Sequence, residues 1–394
     1  MKYDAVFFIS FGGPEKSEDI FPFLETVTRG RNIPRHRLEE VAIHYEHMGG
    51  KSPINEITRQ QAQALQDALS KTDTPYPVYI GQRNWHPFIE DTLRKMVANG
   101  VKRAIGFCTA AHRSEASLER YIHAVEKARE TIGPSAPVID FVGPWFDHSL
   151  FIEAIYGKIC ETEEKGGHGD AETISLSPKS GLSPYFSLSP SPRVFVSPFL
   201  NIPWLFTAHS IPCSMAKEST YVDELRQTAE LVVEKWSMSS PNASIGDPNQ
   251  SVGPRLKPRG RQVEWELAYT SRSGNPKDPW LEPDVCTVLR EKSKAGIKEA
   301  LAIPIGFVAD HVEVLFDLDV EAKEVADEVG ITLHRAQTVG THSLFIQMMV
   351  DVIRNHVPND QKLATSSHII HPQPFCYCFP DRMDAPCLKK NSQS

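Results

Sequence analysis

In the stretch LAIPIGFVADHVEVLFDLDVEA at 301–322 an apolar run gives way to a helix expected to carry Asp310, Glu313, Asp317 and Glu321, the last three at four-residue intervals. At about 100° per residue this spacing puts three carboxylates on one helical face, turn above turn. Like charges at i, i+4 oppose helix formation by about 0.2 to 0.5 kcal/mol per pair, so the row calls for a cation or a basic partner. Without one it is a solvated acidic face. The second candidate is His209 in LFTAHSIP at 205–212, where an apolar run ends in a histidine, a serine and a proline-containing turn. A histidine at the carboxyl end of a strand can accept a proton or bind a metal, and its bland counterpart is a hydrogen-bonded structural residue. A third stretch, YTSRSGNPKDPWLEPD at 269–284, closes a Gly/Pro-rich loop on Trp280. It is either a well-packed loop or an aromatic lip for a flat ligand.

The elements that must position these groups alternate apolar runs with amphipathic segments. Candidate strands lie at 5–10, 78–81, 104–107 and 138–142, and a second series at 204–208, 264–269, 300–305 and 331–333, with helical patterns such as 222–236 between them. Two groups of four strands separated by helices predict an α/β protein of two parallel-sheet domains, with a ligand cleft between them. The expected division is 1–147, then 148–340, with a helix at 341–357 packing back on the first domain and a tail at 358–394. Pro-rich, Ser-rich stretches at 165–203 and 237–262 read as surface insertions, since neither can hold a regular helix or central strand.

Composition removes several classes. The 394 residues are 40% hydrophobic and 23% charged, ordinary for a globular chain, and the net charge of −8 argues against a general nucleic-acid binder. No run reaches the roughly 18 apolar residues of a membrane span, and no signal-peptide pattern opens the sequence, so a cytoplasmic protein is expected. Seven cysteines in such a chain favour thiols or metal ligands over a disulfide scaffold. GxxxxGK[ST], GxGxxG, HExxH and GxSxG motifs are all missing, which disfavours the familiar nucleotide enzymes, zinc proteases and serine hydrolases.

Taken together and in order, SFGGPE at 10–15, TRGR at 28–31, HYEHMGGKSPINEIT at 44–58, LFTAHSIP, DPWLEPD and PIGFVADHVEVLFDLDVEA resemble the ferrochelatases. The resemblance runs from about residue 3 to about residue 357, outside the two insertions. It implies two Rossmann-like, chelatase-type domains clamping a porphyrin, and insertion of ferrous iron, the substrate metal, in haem biosynthesis. The family's catalytic pair maps onto His209 and Glu313, the histidine as proton acceptor and metal contact, the glutamate as ligand or shuttle. Asp317 and Glu321 extend the pair toward the surface as further metal or proton sites. The porphyrin pocket is implied at Phe11, Arg29, Arg31, Tyr45, Ser52, Tyr121 and Trp280. Phe11 offers no hydroxyl where some relatives place a tyrosine beside the metal, and His44 replaces an arginine of others. Cys376, Cys378 and Cys387, with Cys160, resemble the ligands of a [2Fe-2S] cluster. Transient contact with neighbouring haem-pathway enzymes also follows from the resemblance. A cobalt chelatase and a non-catalytic tetrapyrrole or metal carrier on the same scaffold are the alternatives.

Overall fold

The computed structural model describes residues 3–30, 33–73, 75–166, 198–239, 263–272 and 278–356. Its first sheet consists of β1 (Ala5–Ser10), β2 (Val78–Gln82), β3 (Arg103–Cys108) and β4 (Val138–Phe141), and its second of β5 (Trp204–His209), β6 (Trp265–Thr270), β7 (Glu299–Ile303) and β8 (Thr332–Arg335). All pairings are parallel, in the orders β2-β1-β3-β4 and β6-β5-β7-β8. The expected architecture is therefore found, with each strand displaced by at most two residues at either end.

Helices fill the connections: α1 (Ile20–Val27), α2 (Arg35–His47), α3 (Ile54–Ser70), α4 (Ile89–Ala98), α5 (Arg120–Ile132) and α6 (Ser149–Gly166) in the first half. The second half holds α7 (Cys213–Lys217), α8 (Tyr221–Ser239), α9 (Val285–Lys294), α10 (Val312–Leu315), α11 (Ala322–Val329) and α12 (Ser343–Arg354). The sequence AVFFIS of β1 is buried at all six positions. A strand covered on both faces needs such a continuous apolar run rather than an alternating one, and this is why helices must pack on each side.

In both sheets the first strand of the series lies inside, so the chain leaves it toward one edge and returns on its other side. That reversal makes β1 and β5 the switch points, where a crevice opens beyond the carboxyl ends of the strands. Phe11 follows one of these ends and His209 is the other. The halves share a core: Phe107 stacks on Trp145 at 5.5 Å, Trp145 meets Phe345 of α12 at 5.7 Å, and the same apolar cluster continues to Trp204 and Phe206 of β5. α12 packs on both α3 and α6. A polar clasp adds to it, since the fully buried Gln61 of α3 donates its two amide hydrogens to the carbonyls of Val308 and Gly340, each at 2.9 Å.

Candidate active site

β5 carries buried residues up to Ala208 and then delivers His209, partly exposed, into the crevice. The loop after β7 must pass close to this point. Gly306 donates its N–H to the Thr207 carbonyl at 3.1 Å, and a Cβ at 306 would stand 2.7 Å from the Ala208 Cβ. Only glycine permits that approach, and through it the loop lies against β5 one residue before the histidine. The chain then turns into α10 and brings Glu313 Oε1 to 3.0 Å from His209 Nε2.

The tautomer of His209 follows from its other nitrogen. Nδ1 contacts the carbonyl of Ser210, which only accepts, so Nδ1 carries a hydrogen and Nε2 is the nitrogen that faces Glu313. Ser210 is itself held by its hydroxyl on the Leu281 carbonyl at 2.9 Å, and Tyr221 donates to the His209 carbonyl at 3.0 Å. The Nε2 and Oε1 atoms meet without hydrogen-bond alignment, so Oε1 is a solvent-shielded carboxylate oxygen that lacks an aligned donor. What the pair lacks is a positive charge, supplied by a proton or a cation.

Three carboxylates respond differently to this site. Burial acts to raise Glu313, but His209, then His311 with its Nε2 at 3.8 Å from Oε2, and Ser271 outweigh it and hold the group down to about 2. Asp317, 8% exposed, is pushed the other way, well above the usual carboxylate range, by burial and by the charge of Glu313. The Ser271 hydroxyl bonds its Oδ2. Glu321, at the exposed end, is also raised, by burial and by the neighbouring Asp284 and Glu324. Burial and like charge thus favour the protonated forms of Asp317 and Glu321, which lessens the repulsion expected along the row.

The winding also differs from expectation. Residues Phe316–Glu321 form a π-helical turn between α10 and α11, with i→i+5 hydrogen bonds in place of i→i+4. A face drawn at 100° per residue thus does not describe Glu313, Asp317 and Glu321, although the three still run from crevice to surface. Asp310 is not on the helix at all, because His311 is the N-cap. Its carboxylate goes to Arg335 at 3.4 Å. Ser271, which reaches Asp317, has φ of 57° and is the one non-glycine with positive φ among the described residues. Such a conformation costs on the order of 1 to 3 kcal/mol and tends to occur at functional sites.

The first half presents aromatic and cationic groups instead. The Arg83 guanidinium lies 5.2 Å from the Phe11 ring and 5.8 Å from that of Tyr121 on α5, which is buried and pushed up to about 12 by that burial. Tyr45 of α2 is raised by burial and by the charge of Glu313. His44 stacks on Phe316 of the π-turn at 3.7 Å and 9°, with His47 edge-on at 6.0 Å, so α2 closes directly over the carboxylate row. Ser52 is buried, its N–H on the Pro14 carbonyl. Trp280 lies on a loop bridged to Pro212, behind the His209 turn.

The structure thus gathers His209, Glu313 and Asp317, and places Phe11 with Tyr45 on the Phe23 cluster and with Tyr121 beneath Arg83. It leaves Arg29 exposed beyond α1, while Arg31 lies outside the described residues. Cys160 on α6 is a free, half-buried thiol raised by burial, the reverse of what a thiolate ligand needs, and Cys376, Cys378 and Cys387 lie outside the described residues. The single described cysteine of that set does not fit a cluster ligand. Sequence reasoning missed Arg83, Ser271, His311, Asp284 and Tyr221. His311 and Asp284 sit inside stretches already singled out, whereas Arg83 carries no signal beyond its place at a strand end.

A family model described as Ferrochelatase matches residues 3–180 and 193–357. A protein named Ferrochelatase from Rhodopirellula baltica is 38% identical over 96% of this chain and 95% of its own length. Coproporphyrin III ferrochelatases from Nocardia farcinica and Mycolicibacterium smegmatis are 35% and 36% identical, over 91% and 90% of this chain and 89% of each relative. Among solved structures, SirB from Bacillus subtilis with Fe3+ superposes with a TM-score of 0.50 at 9% identity, over 92% of this chain and 98% of that one, a likeness of fold alone. Among the described residues no helix is long and apolar enough to cross a membrane.

Proposed function

The chain belongs to the ferrochelatase family and is a porphyrin metal chelatase, and on that premise we propose that it inserts ferrous iron into a porphyrin between His209 and Glu313. One observation carries the reading: His209 Nε2 and the donor-free Glu313 Oε1 face each other at 3.0 Å, lacking only a positive charge between them. Insertion exchanges two pyrrole N–H protons for one Fe2+. His209 takes a proton on Nε2, with Nδ1 kept protonated against Ser210. Glu313, held ionised, contacts the entering ion or receives the second proton. Asp317 enters the cycle as an acid and relays protons toward Glu321 and solvent. Oxygen ligands hold a divalent ion loosely enough to hand it on.

Opposite this apparatus, Phe11, Arg83 and Tyr121 form the aromatic and cationic floor on which the macrocycle rests, and Tyr45, Ser52 and Trp280 complete its surroundings. Arg29 and Arg31 meet the propionates. Coproporphyrin III is the first substrate to assay, because relatives bear its name, with protoporphyrin IX as the comparator. The reaction would run in the cytoplasm, in passing contact with the enzymes that supply the porphyrin and receive the haem. With Cys160 unsuited as a ligand, a [2Fe-2S] cluster on Cys376, Cys378 and Cys387 would need a different fourth ligand; it would show as iron, sulfide and visible absorption in anaerobically purified protein, and no step depends on it.

Steady-state assays with ferrous iron and each porphyrin test the proposal. Insertion of iron is expected with at least one of them. Porphyrin binding without insertion of iron would make the chain a carrier, and insertion of cobalt alone would make it a cobalt chelatase.

A further inference from the structure

Arg335, the last residue of β8, reaches two carboxylates that flank the reactive segment. Its Nε and Nη2 bond the two oxygens of Asp319 at 2.5 and 2.9 Å, and its Nη1 lies 3.4 Å from Asp310. Asp310 precedes Glu313 by three residues, and Asp319 follows Asp317 by two. The guanidinium side chain is only 14% exposed, and Asp310 is further tied by the N–H of Thr338 at 3.4 Å. The fork therefore spans the turn from its entry loop to its π-wound portion. Packing does not supply the same restraint on that flank. Leu318, Asp319 and Arg335 border a cavity of about 400 Å³ shared with Lys158, Lys323 and Leu333, and His209 and Glu313 do not line it.

A π-turn is a local departure from the α-helix that something must hold, and its register decides whether Asp317 points inward to Ser271 or outward. Asp319 points out to Arg335 while Asp317, two residues earlier, is buried against Ser271. The geometry points to Arg335 as a positioning residue for metal delivery: by clamping Asp310 and Asp319 it holds the π-register that sets Glu313 and Asp317 in line with His209. The inference rests on the chelatase reading above. A planar fork matching two carboxylates at once is a property of arginine, and a lysine ammonium in its place keeps the charge without the geometry.

Arg335→Gln, Arg335→Lys and Asp319→Asn test this, with Arg354→Gln, which breaks an exposed pair to Asp73, as the control. A displacement of about 1 Å at a reacting group costs up to about a hundredfold. Both Arg335 variants are accordingly expected to raise the apparent KM for iron about tenfold or more, leaving the porphyrin KM unchanged, with faster amide exchange across 313–321. Asp319→Asn gives a smaller rise, and combining it with Arg335→Gln adds nothing further. An iron KM within about twofold of wild type in folded Arg335→Gln, or full recovery by Arg335→Lys, overturns the inference. If Arg335→Gln does not fold, Asp319→Asn with an unchanged iron KM overturns it equally. Wild-type protein that binds porphyrin but inserts no metal would bring down the chelatase reading instead, while the exchange measurement would still report on the clamp.

Discussion

The two halves repeat one strand order, yet they place unlike chemistry at the same topological point. Beyond β1 the crevice receives Phe11, with Arg83 lying over it and over Tyr121. Beyond β5 it receives His209, with Glu313 opposite and acids leading outward. The parallel sheet dictates where a ligand group emerges, since both strand ends lie at the reversal of strand order. What emerges is decided by single side chains and by the loops that follow. On the proposed function the first half takes the flat macrocycle and the second the cation, so the reaction needs both switch points to open on one crevice.

That division is open to breakage. His209→Ala, on the metal side, is expected to lower insertion by about a thousandfold or more, the scale of a lost general base, while porphyrin binding measured by fluorescence quenching persists. Near-normal turnover would remove the histidine from the mechanism. Asp317→Asn combined with Glu321→Gln should raise the apparent KM for iron about tenfold with little change for porphyrin, and an unchanged iron dependence would return both residues to the status of a wetted surface. On the macrocycle side, Arg83→Gln should do the opposite, raising the porphyrin KM several-fold, about the worth of one or two cation–π contacts, at constant iron KM. Parallel shifts in both constants would show that the halves do not divide the work.

The smallest effect is on stability. Because Asp317 holds its proton more tightly folded than unfolded, the native state binds more protons between the ordinary carboxyl value of about 3.9 and the raised native one, and unfolding becomes easier as pH rises through that window. Asp317→Asn has no proton to lose. Its melting temperature should exceed that of wild type by a few degrees more at pH 8 than at pH 5, and a pH-independent difference would mean that the group is ionised in the folded protein.

Much of this was legible because buried parallel strands announce themselves as continuous apolar runs. AVFFIS and LFTAH place β1 and β5, and with them both switch points. His209 and Glu313 were legible as candidates from residue type and spacing, but their facing contact was not, as it depends on Gly306 passing within reach of Ala208. The π-turn was invisible because four-residue spacing is equally compatible with two windings. Asp310 was misplaced for a similar reason: its partner Arg335 lies 25 residues onward on another strand. Ser271 lay within the 269–284 loop but carried no signal of its own, since no local rule puts serine at a φ of 57°. Longer-range geometry, and not composition, accounts for each miss.

The Gln61 clasp has a mechanical meaning. One amide group of the first half grips two carbonyls of the second, Val308 and Gly340, and the first of these belongs to the very loop that leads to Glu313. A clamshell motion of the halves would have to tear both bonds and expose the core that runs from Phe107 to Phe206. A smaller movement would carry α2 together with α1, to which the apolar cluster of Ile20, Phe23, Leu24, Leu38 and Ala42 ties it, and would part His44 from Phe316. The two halves are then less a pair of jaws than one bench, held together at Gln61 and through the shared core.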